Sequence, residues 1–533
     1  MSHFYIGVDV GTGSARAGVF DSKGSLLGSA KREIVLFNDE PGYYEQSGDQ
    51  IWEAVCECVR ESLSLSGVSA SNVSGIGFDA TCSLVVVGDD GHGLPVGRHG
   101  DSARNVILWM DHRAKSEAAE INQGKHEVLQ FVGGTISPEM ETPKLLWLKR
   151  NLPEIYHNAA YFFDLTDYLT WRATGSNDRS SCTTTCKWTY LAHDSRWDTE
   201  YFDAIELSEL VKDGFRRIGS TVREPGSPLG FGLTSQAAAD LGLKQGTAVP
   251  AGLIDAHAGG IGTVGARSAD NCDVTNTMAY VFGTSACTMT TTKDRAFVPG
   301  VWGPYYNAMV PGYWLLEAGQ SAAGVAIDQL MKHSPIYDEV KQLAAKEGLG
   351  LNQWLSNLVK SKVGENLSKA AELVGRVKVV PEFMGNRAPL ADPNRTAVIA
   401  GLTMDESLDG ICSLYVAGIL GIGYGLKQIL TAQKQSGVAI NQIVISGGAG
   451  QDPLVRQLIA DATLRRVVAP RSEEPVLLGA AITAHMASNL DKHPSDVMAE
   501  MSGFSSAYEP ATGEIRSIHE RGYRSFLALQ SVQ

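Results

Sequence analysis

At 533 residues the chain exceeds what a single hydrophobic core serves, and two or three domains are expected. Its 44% apolar residues and 57 glycines describe a soluble α/β protein rich in turns. The 45 basic and 59 acidic side chains leave a formal charge of −14, which argues against a broad nucleic-acid surface. An anionic nucleotide is not excluded, because backbone amides and helix N-termini act locally.

The chain opens with Phe4 to Asp21, FYIGVDVGTGSARAGVFD, where branched apolar residues alternate on both sides of Gly11-Thr12-Gly13-Ser14. That pattern predicts a β-hairpin whose turn bares N–H groups and hydroxyls suited to a phosphate. Asp9 at the strand end would repel a phosphate unless a divalent cation, usually Mg²⁺ with its waters, stood between them. An ordinary tight hairpin fits the same residues. Ser25 to Phe37 completes a three-stranded meander, and an amphipathic helix from Gln50 to Leu65 follows. Val73 to Phe78 returns as a strand ending at Asp79-Ala80-Thr81-Cys82-Ser83, before the apolar strand Leu84 to Val87. Polar residues at the end of a central strand line the crevice of an open sheet, so this segment is a substrate wall or a polar turn.

Val106 to Met110 reads as a strand ending in Asp111-His112-Arg113, where Asp111 is an N-cap or a site carboxylate. Pro143 to Asn151, PKLLWLKRN, is an apolar helix with a basic outer face, and Phe162 to Ala173 holds a strand and a helix opening at Asp164. The hydroxyl-rich run SSCTTTCK ends at Lys187, solvated or turned inward between Cys186 and Trp188. Ala248 to Ile254 is a buried strand, and Asp255 begins the small-residue segment Ala256 to Gly265. Asp255 is a helix N-cap or a carboxylate aimed into a cleft. A pKa near ~3.9 makes an Asp a weak base. Phosphoryl transfer releases the alcohol proton late, however, so position outweighs basicity.

Thr277 to Asp294, TMAYVFGTSACTMTTTKD, repeats strand, Gly-Thr-Ser turn and strand. Two such hairpins half a chain apart predict two similar domains, taken as 1–265 and 266–533, closing on one nucleotide from opposite sides. Tyr313 to Leu316 runs into Glu317-Ala318-Gly319-Gln320-Ser321 and the helix Ala322 to Lys332. Residues 333–375 read as a solvated helical insert without a chemical role. A strand Val377 to Val380 and a long helix Leu408 to Thr431 follow. Ile443 to Ser446, the turn Gly447 to Gly450, and Asp452-Pro453 opening the helix Leu454 to Leu464 make a nucleotide-binding arrangement. The helix Pro475 to Ser488 is expected to finish the second sheet's layer, leaving a polar tail free to cross back to the first domain.

The eight cysteines (Cys56, Cys58, Cys82, Cys182, Cys186, Cys272, Cys287 and Cys412) include no Cys-x-x-Cys pair. This suits a reduced cytoplasmic protein better than a disulfide framework or a zinc site. Met1 to His3 leads straight into the first strand, leaving no room for a signal peptide, and no apolar run reaches membrane-spanning length. Neither nucleic acid nor membrane is an expected partner.

Taken in order, DVGT at 9–12, WMDHR at 109–113, KLLWL at 144–148, GLIDAH at 252–257, FGTS at 282–285, GNRAP at 385–389 and GGA at 447–449 resemble the FGGY carbohydrate kinases along almost the whole chain. Two departures stand out. Gly385-Asn386-Arg387 replaces the family's Gly-Glu-Arg, and Glu139 and Glu141 stand where small or aromatic residues are usual. The resemblance implies two ribonuclease-H-like α/β domains of the actin/hexokinase type, hinging shut on ATP, Mg²⁺ and a sugar. It implies Asp255 as catalytic base, Asp9 holding Mg²⁺ through water, and Gly283, Thr284, Gly448 and Gln451 contacting ATP, with the first turn at Gly11, Thr12 and Gly13 beside its phosphates. Within the family, Asp79 to Ser83, Lys187 and Glu317 to Gln320 look like the ribulokinase type, and Thr81 to Val85 resembles its D-ribulokinase branch. This implies a linear ketopentose read by Cys82, Asp111, Lys187, Asp255 and Glu317, and phosphorylation of D-ribulose to D-ribulose 5-phosphate. An L-ribulokinase, xylulokinase or polyol kinase is the same-class alternative. An actin-like ATPase without a sugar is the rival from another class, and the polar wall at Asp79 to Ser83 speaks against it. A homodimer is compatible with this reading.

Overall fold

The computed structural model describes residues 3–266 and 273–532; Cys272 lies outside the described residues. The predicted hairpin forms in register from Phe4↔Asp21 to Val10↔Ala15. With Leu26–Glu33 it makes a meander, and Val73–Ala80 and then Leu253–Ile254 add in parallel on the far side of the first strand. The second sheet repeats this plan. Thr277–Phe282, Ala286–Thr292 and Trp314–Gln320 are its meander, and Gln442–Ser446 and Arg466–Pro470 its parallel additions. Edge strands Trp302–Tyr306 and Phe504–Tyr508 extend it to seven.

Some elements are shorter than the sequence implies. Of Ala248 to Ile254 only Leu253–Ile254 is a strand, because Pro250 has no N–H for the ladder. Val106–Ile107 is a two-residue strand in a separate four-stranded sheet with Glu45–Gln46, Leu84–Val87 and Tyr161–Asp164.

The helix Pro475–Ser488 does not complete the second sheet. It lies on the first, against Phe4–Val10 and Val73–Ala80, and beside the helix Asp255–Val264. Gly262 and Gly479 let those two helices touch backbone to backbone: a methyl at either would collide with the carbonyl of Pro475 or of Ala258. The helix Pro494–Met501 stays on the same side, where Tyr5 stacks on His485 and Arg471 Nη2 donates to the Lys23 carbonyl at 2.8 Å. The expected crossing back therefore comes earlier. The polar tail does the opposite and returns to the second sheet as Phe504–Tyr508 and Gly513–Gln530, where Gln530 Nε2 donates to Glu382 at 2.6 Å.

The helix Leu408–Gln435 is, by length and composition, able to cross a membrane, contrary to the sequence reading. It is instead mostly buried in the second core, between Gly324–Met331, Pro453–Thr463 and the turn Leu367–Val374. The segment 333–375 also departs from expectation. Leu355, Val359, Ala370 and Ala371 enter the core, and the helix Leu351–Val363 turns its polar residues to a cavity described below.

Candidate active site

In the first sheet, strand register sets three carboxylates at one end. Asp9 pairs with Asp79, and Asp79 with Leu253, two residues before Asp255. Asp9 is bonded to Arg16, which reaches on to Glu474 Oε2 at 2.9 Å, just before the crossing helix. Asp79 is wholly buried and neither of its oxygens receives a donor. Burial, then the charges of Asp9 and Asp255, hold its pKa well above the usual range. Asp255 is half-buried, and its Oδ1 accepts the Ala256 amide at 2.6 Å. Burial and Asp9 push its carboxyl up to about 7, against the opposing pull of that amide and of Lys187. Among the described residues Arg16 is the only cation bonded to the three acids.

The first glycine turn is braced. Gly11 N donates to Ser14 O at 3.0 Å, Gln46 Nε2 to Thr12 O at 2.7 Å and Trp109 Nε1 to Thr12 Oγ1 at 3.1 Å. The second turn closes through Gly283 N to Ser285 O at 2.9 Å and receives the Ala323 amide on Thr284 O. This second turn borders a cavity of about 900 Å³ that Gly448 and Gln451 also line. Gly11, Thr12 and Gly13 stand outside that lining. The opposite wall comes from the segment read as solvated: Asn352, Asn357 and Lys360, whose Nζ pairs with Asp452 at 2.9 Å. A Cβ on Gly448 would meet nothing within 4 Å, so a side chain there would project into the cavity. Gly448→Val should fold normally and raise the KM for ATP about tenfold or more, with the sugar KM unchanged; equal KM values for ATP would exclude the cavity as its site.

On the other flank, Lys187 from the first half and Glu317 from the second face each other without a direct ion pair among the described residues. Lys187 Nζ sits 5.6 Å from the Trp302 ring, on whose other contacts Arg387 lies at 5.5 Å. Burial would raise Glu317, but Lys187, then His257 and Arg387, outweigh it and hold its carboxyl at about 2. Thr81 and Ser83 are bonded to each other at 3.2 Å, leaving Cys82 as the half-buried residue of that wall. Burial raises its thiol to about 12, so it is no nucleophile.

Asp111 is not free for a substrate. It is wholly buried, its Oδ1 takes Arg113 Nε at 2.9 Å, and its Oδ2 takes Arg113 Nη2 at 2.8 Å and the Tyr44 amide at 2.7 Å. Its lone pairs are committed, and its place in the sugar set is withdrawn.

The sequence reading missed Trp302, Arg387 as a cation beside Trp302 and Glu317, and a buried group behind Cys82. In that group Lys144 Nζ lies 3.4 Å from Glu141 Oε1, and Asp164 has no donor on either oxygen. Burial pushes Asp164 well above the usual range and Glu141 to about 7. Glu141 is one of the two departures from the family pattern, the only signal that could have marked this site. Lys144→Met strands both acids and should cost about 3 kcal/mol at pH 8. The loss should shrink at pH 6, because an acid whose folded pKa is raised loses its contribution as pH rises through that value. Denaturant unfolding at the two pH values checks the sign.

Two repeated sheets, a crowded acidic end on one and a glycine-bordered cavity on the other define a two-lobed phosphotransferase of the actin/hexokinase type. The lobes agree with family models at both ends: residues 4–262 match the N-terminal and 278–488 the C-terminal domain of the FGGY family of carbohydrate kinases, to which the chain belongs. The chain is 42% identical over 537 residues to an FGGY carbohydrate kinase domain-containing protein of Homo sapiens, covering 99% of this chain and 96% of that one. It is 39% identical over 513 residues to a D-ribulokinase of Saccharomyces cerevisiae, covering 91% and 72%. A xylulose kinase structure from Lactobacillus acidophilus superposes with a TM-score of 0.80 at 20% identity, covering 99% of this chain and 98% of that one, which speaks to the fold alone. The protein is thus a sugar kinase, and its family implies ATP as phosphoryl donor.

Proposed function

We propose that the protein phosphorylates a ketopentose at its terminal hydroxyl, converting D-ribulose to D-ribulose 5-phosphate with ATP and Mg²⁺. The observation that carries this reading is the gathering of Asp255, Lys187 and Glu317, from different lobes, near enough for each to feel the others' charge. Asp255 takes the proton of the attacking hydroxyl. Lys187 donates to sugar oxygens, Glu317 accepts from hydroxyls, and Cys82 packs along the carbon chain. Gly283, Thr284, Gly448 and Gln451 hold the nucleotide. Among the described residues no three acidic, histidine or cysteine side chains are placed to ligate a metal directly, so a cation at the acidic end would be held through water, with Asp9 as the residue to hold Mg²⁺ beside its bond to Arg16. When bound, Mg²⁺ neutralises phosphate charge during transfer. The seven described cysteines are all free, in keeping with a reducing cytoplasm.

The pentulose identity draws on the likeness to the yeast D-ribulokinase. A coupled ADP-release assay with D-ribulose, L-ribulose, D-xylulose and glycerol tests it. D-Ribulose should give the highest kcat/KM. Preference for another substrate would move the assignment within the family, and ATP hydrolysis indifferent to all four would defeat it.

A further inference from the structure

His257 lies two residues beyond Asp255 on the same helix, is 1% exposed, and has a neighbour on each ring nitrogen. Its Nδ1 is 3.0 Å from Cys182 Sγ. That sulfur also accepts the Ile254 amide at 3.4 Å, and burial keeps it a thiol with a proton to give to Nδ1. The other ring nitrogen, Nε2, faces Glu317 Oε2 at 3.7 Å. This is longer than a hydrogen bond, as is common for such contacts before substrate is bound.

The ring therefore ties the helix of Asp255, on the first lobe, to the strand Trp314–Gln320 on the second. No other side chain is seen to join the base's helix to the carboxylate facing Lys187 among the described hydrogen bonds and ion pairs. We infer that His257 is a positioning residue: Cys182 fixes its tautomer, and its Nε2–H aims Glu317 at a sugar hydroxyl in register with Asp255. This rests on the sugar-kinase reading of the site. His257 and Cys182 are both buried, at 1% and 0% exposed, and the bland account is a histidine that merely fills space.

Four variants separate the two accounts. His257→Leu should raise the KM for D-ribulose about tenfold, with a smaller fall in kcat and the KM for ATP within about twofold, the tenfold corresponding to about 1.4 kcal/mol. His257→Gln, whose amide N–H reaches the place of Nε2, should recover most of the affinity. Cys182→Ser keeps a donor and should stay near wild type, whereas Cys182→Ala should shift the sugar KM in the direction of His257→Leu. The inference is overturned if His257→Leu moves both KM values equally or neither, or if His257→Gln is no better than His257→Leu. Should His257→Leu fail to fold, the cysteine pair decides: equal sugar KM values for Ser and Ala overturn it. Wild-type protein without sugar-dependent ADP release would instead strike the functional reading itself.

Discussion

Asp255→Asn should lower kcat by about 10²–10⁴-fold, the range for a lost general base, while ATP still binds with unchanged affinity. Asn keeps an oxygen for the Ala256 amide, so the helix start survives the change. In the unsubstituted protein kcat/KM should rise with pH through about 7, because the base acts only when unprotonated and burial beside Asp9 has raised its carboxyl to that value. The residual activity of Asp255→Asn should lack this limb. Stability should move the other way. A carboxyl whose folded pKa is raised contributes most below its ordinary value and loses that contribution as pH rises through about 7. Asp255→Asn should therefore melt above the unsubstituted protein at pH 8 and close to it at pH 5. Sugar-dependent turnover retained by this variant would remove Asp255 from the chemistry.

Lys187→Met should reduce kcat/KM for the sugar by about 10²-fold or more, since removing one member of a buried charged set costs about 2–5 kcal/mol. Here the stability change has the opposite sign. Glu317 is held at about 2, so its contribution is present above the ordinary carboxylate range and disappears as pH falls toward that value. Without Lys187 much of it is forfeited at pH 7. Adding Glu317→Gln should restore the melting temperature of Lys187→Met but not its sugar affinity. If the double variant recovers both, the lysine serves the fold and not the substrate.

The hairpins were legible because glycine turns and period-two alternation are local, and their repetition announced two related lobes. Asp9 and Asp255 were legible as strand-end acids for the same reason. The pairing of Asp9 with Asp79 was not, since it depends on the register of strands some seventy residues apart. Asp111 was misread although its partner, Arg113, lies two positions on; an Asp and Arg at that spacing can close on each other, as they do here. Asn352, Asn357 and Lys360 looked like one more solvated face, because polarity cannot distinguish bulk water from the mouth of a cavity. Pro475–Ser488 is apolar on every side, which foretold burial without saying under which sheet.

That helix makes the two halves of the polypeptide mutually dependent. A fragment ending near residue 265 would leave the sheet face of Tyr5, Gly7, Gly75 and Gly77 stripped of its cover, and the remaining piece would carry an apolar helix with nowhere to dock. Neither fragment should stay monomeric by itself, yet mixed during refolding they should reassemble. A chain divided after residue 265 would thus be a split enzyme, reconstituted by the piece that one half lends the other.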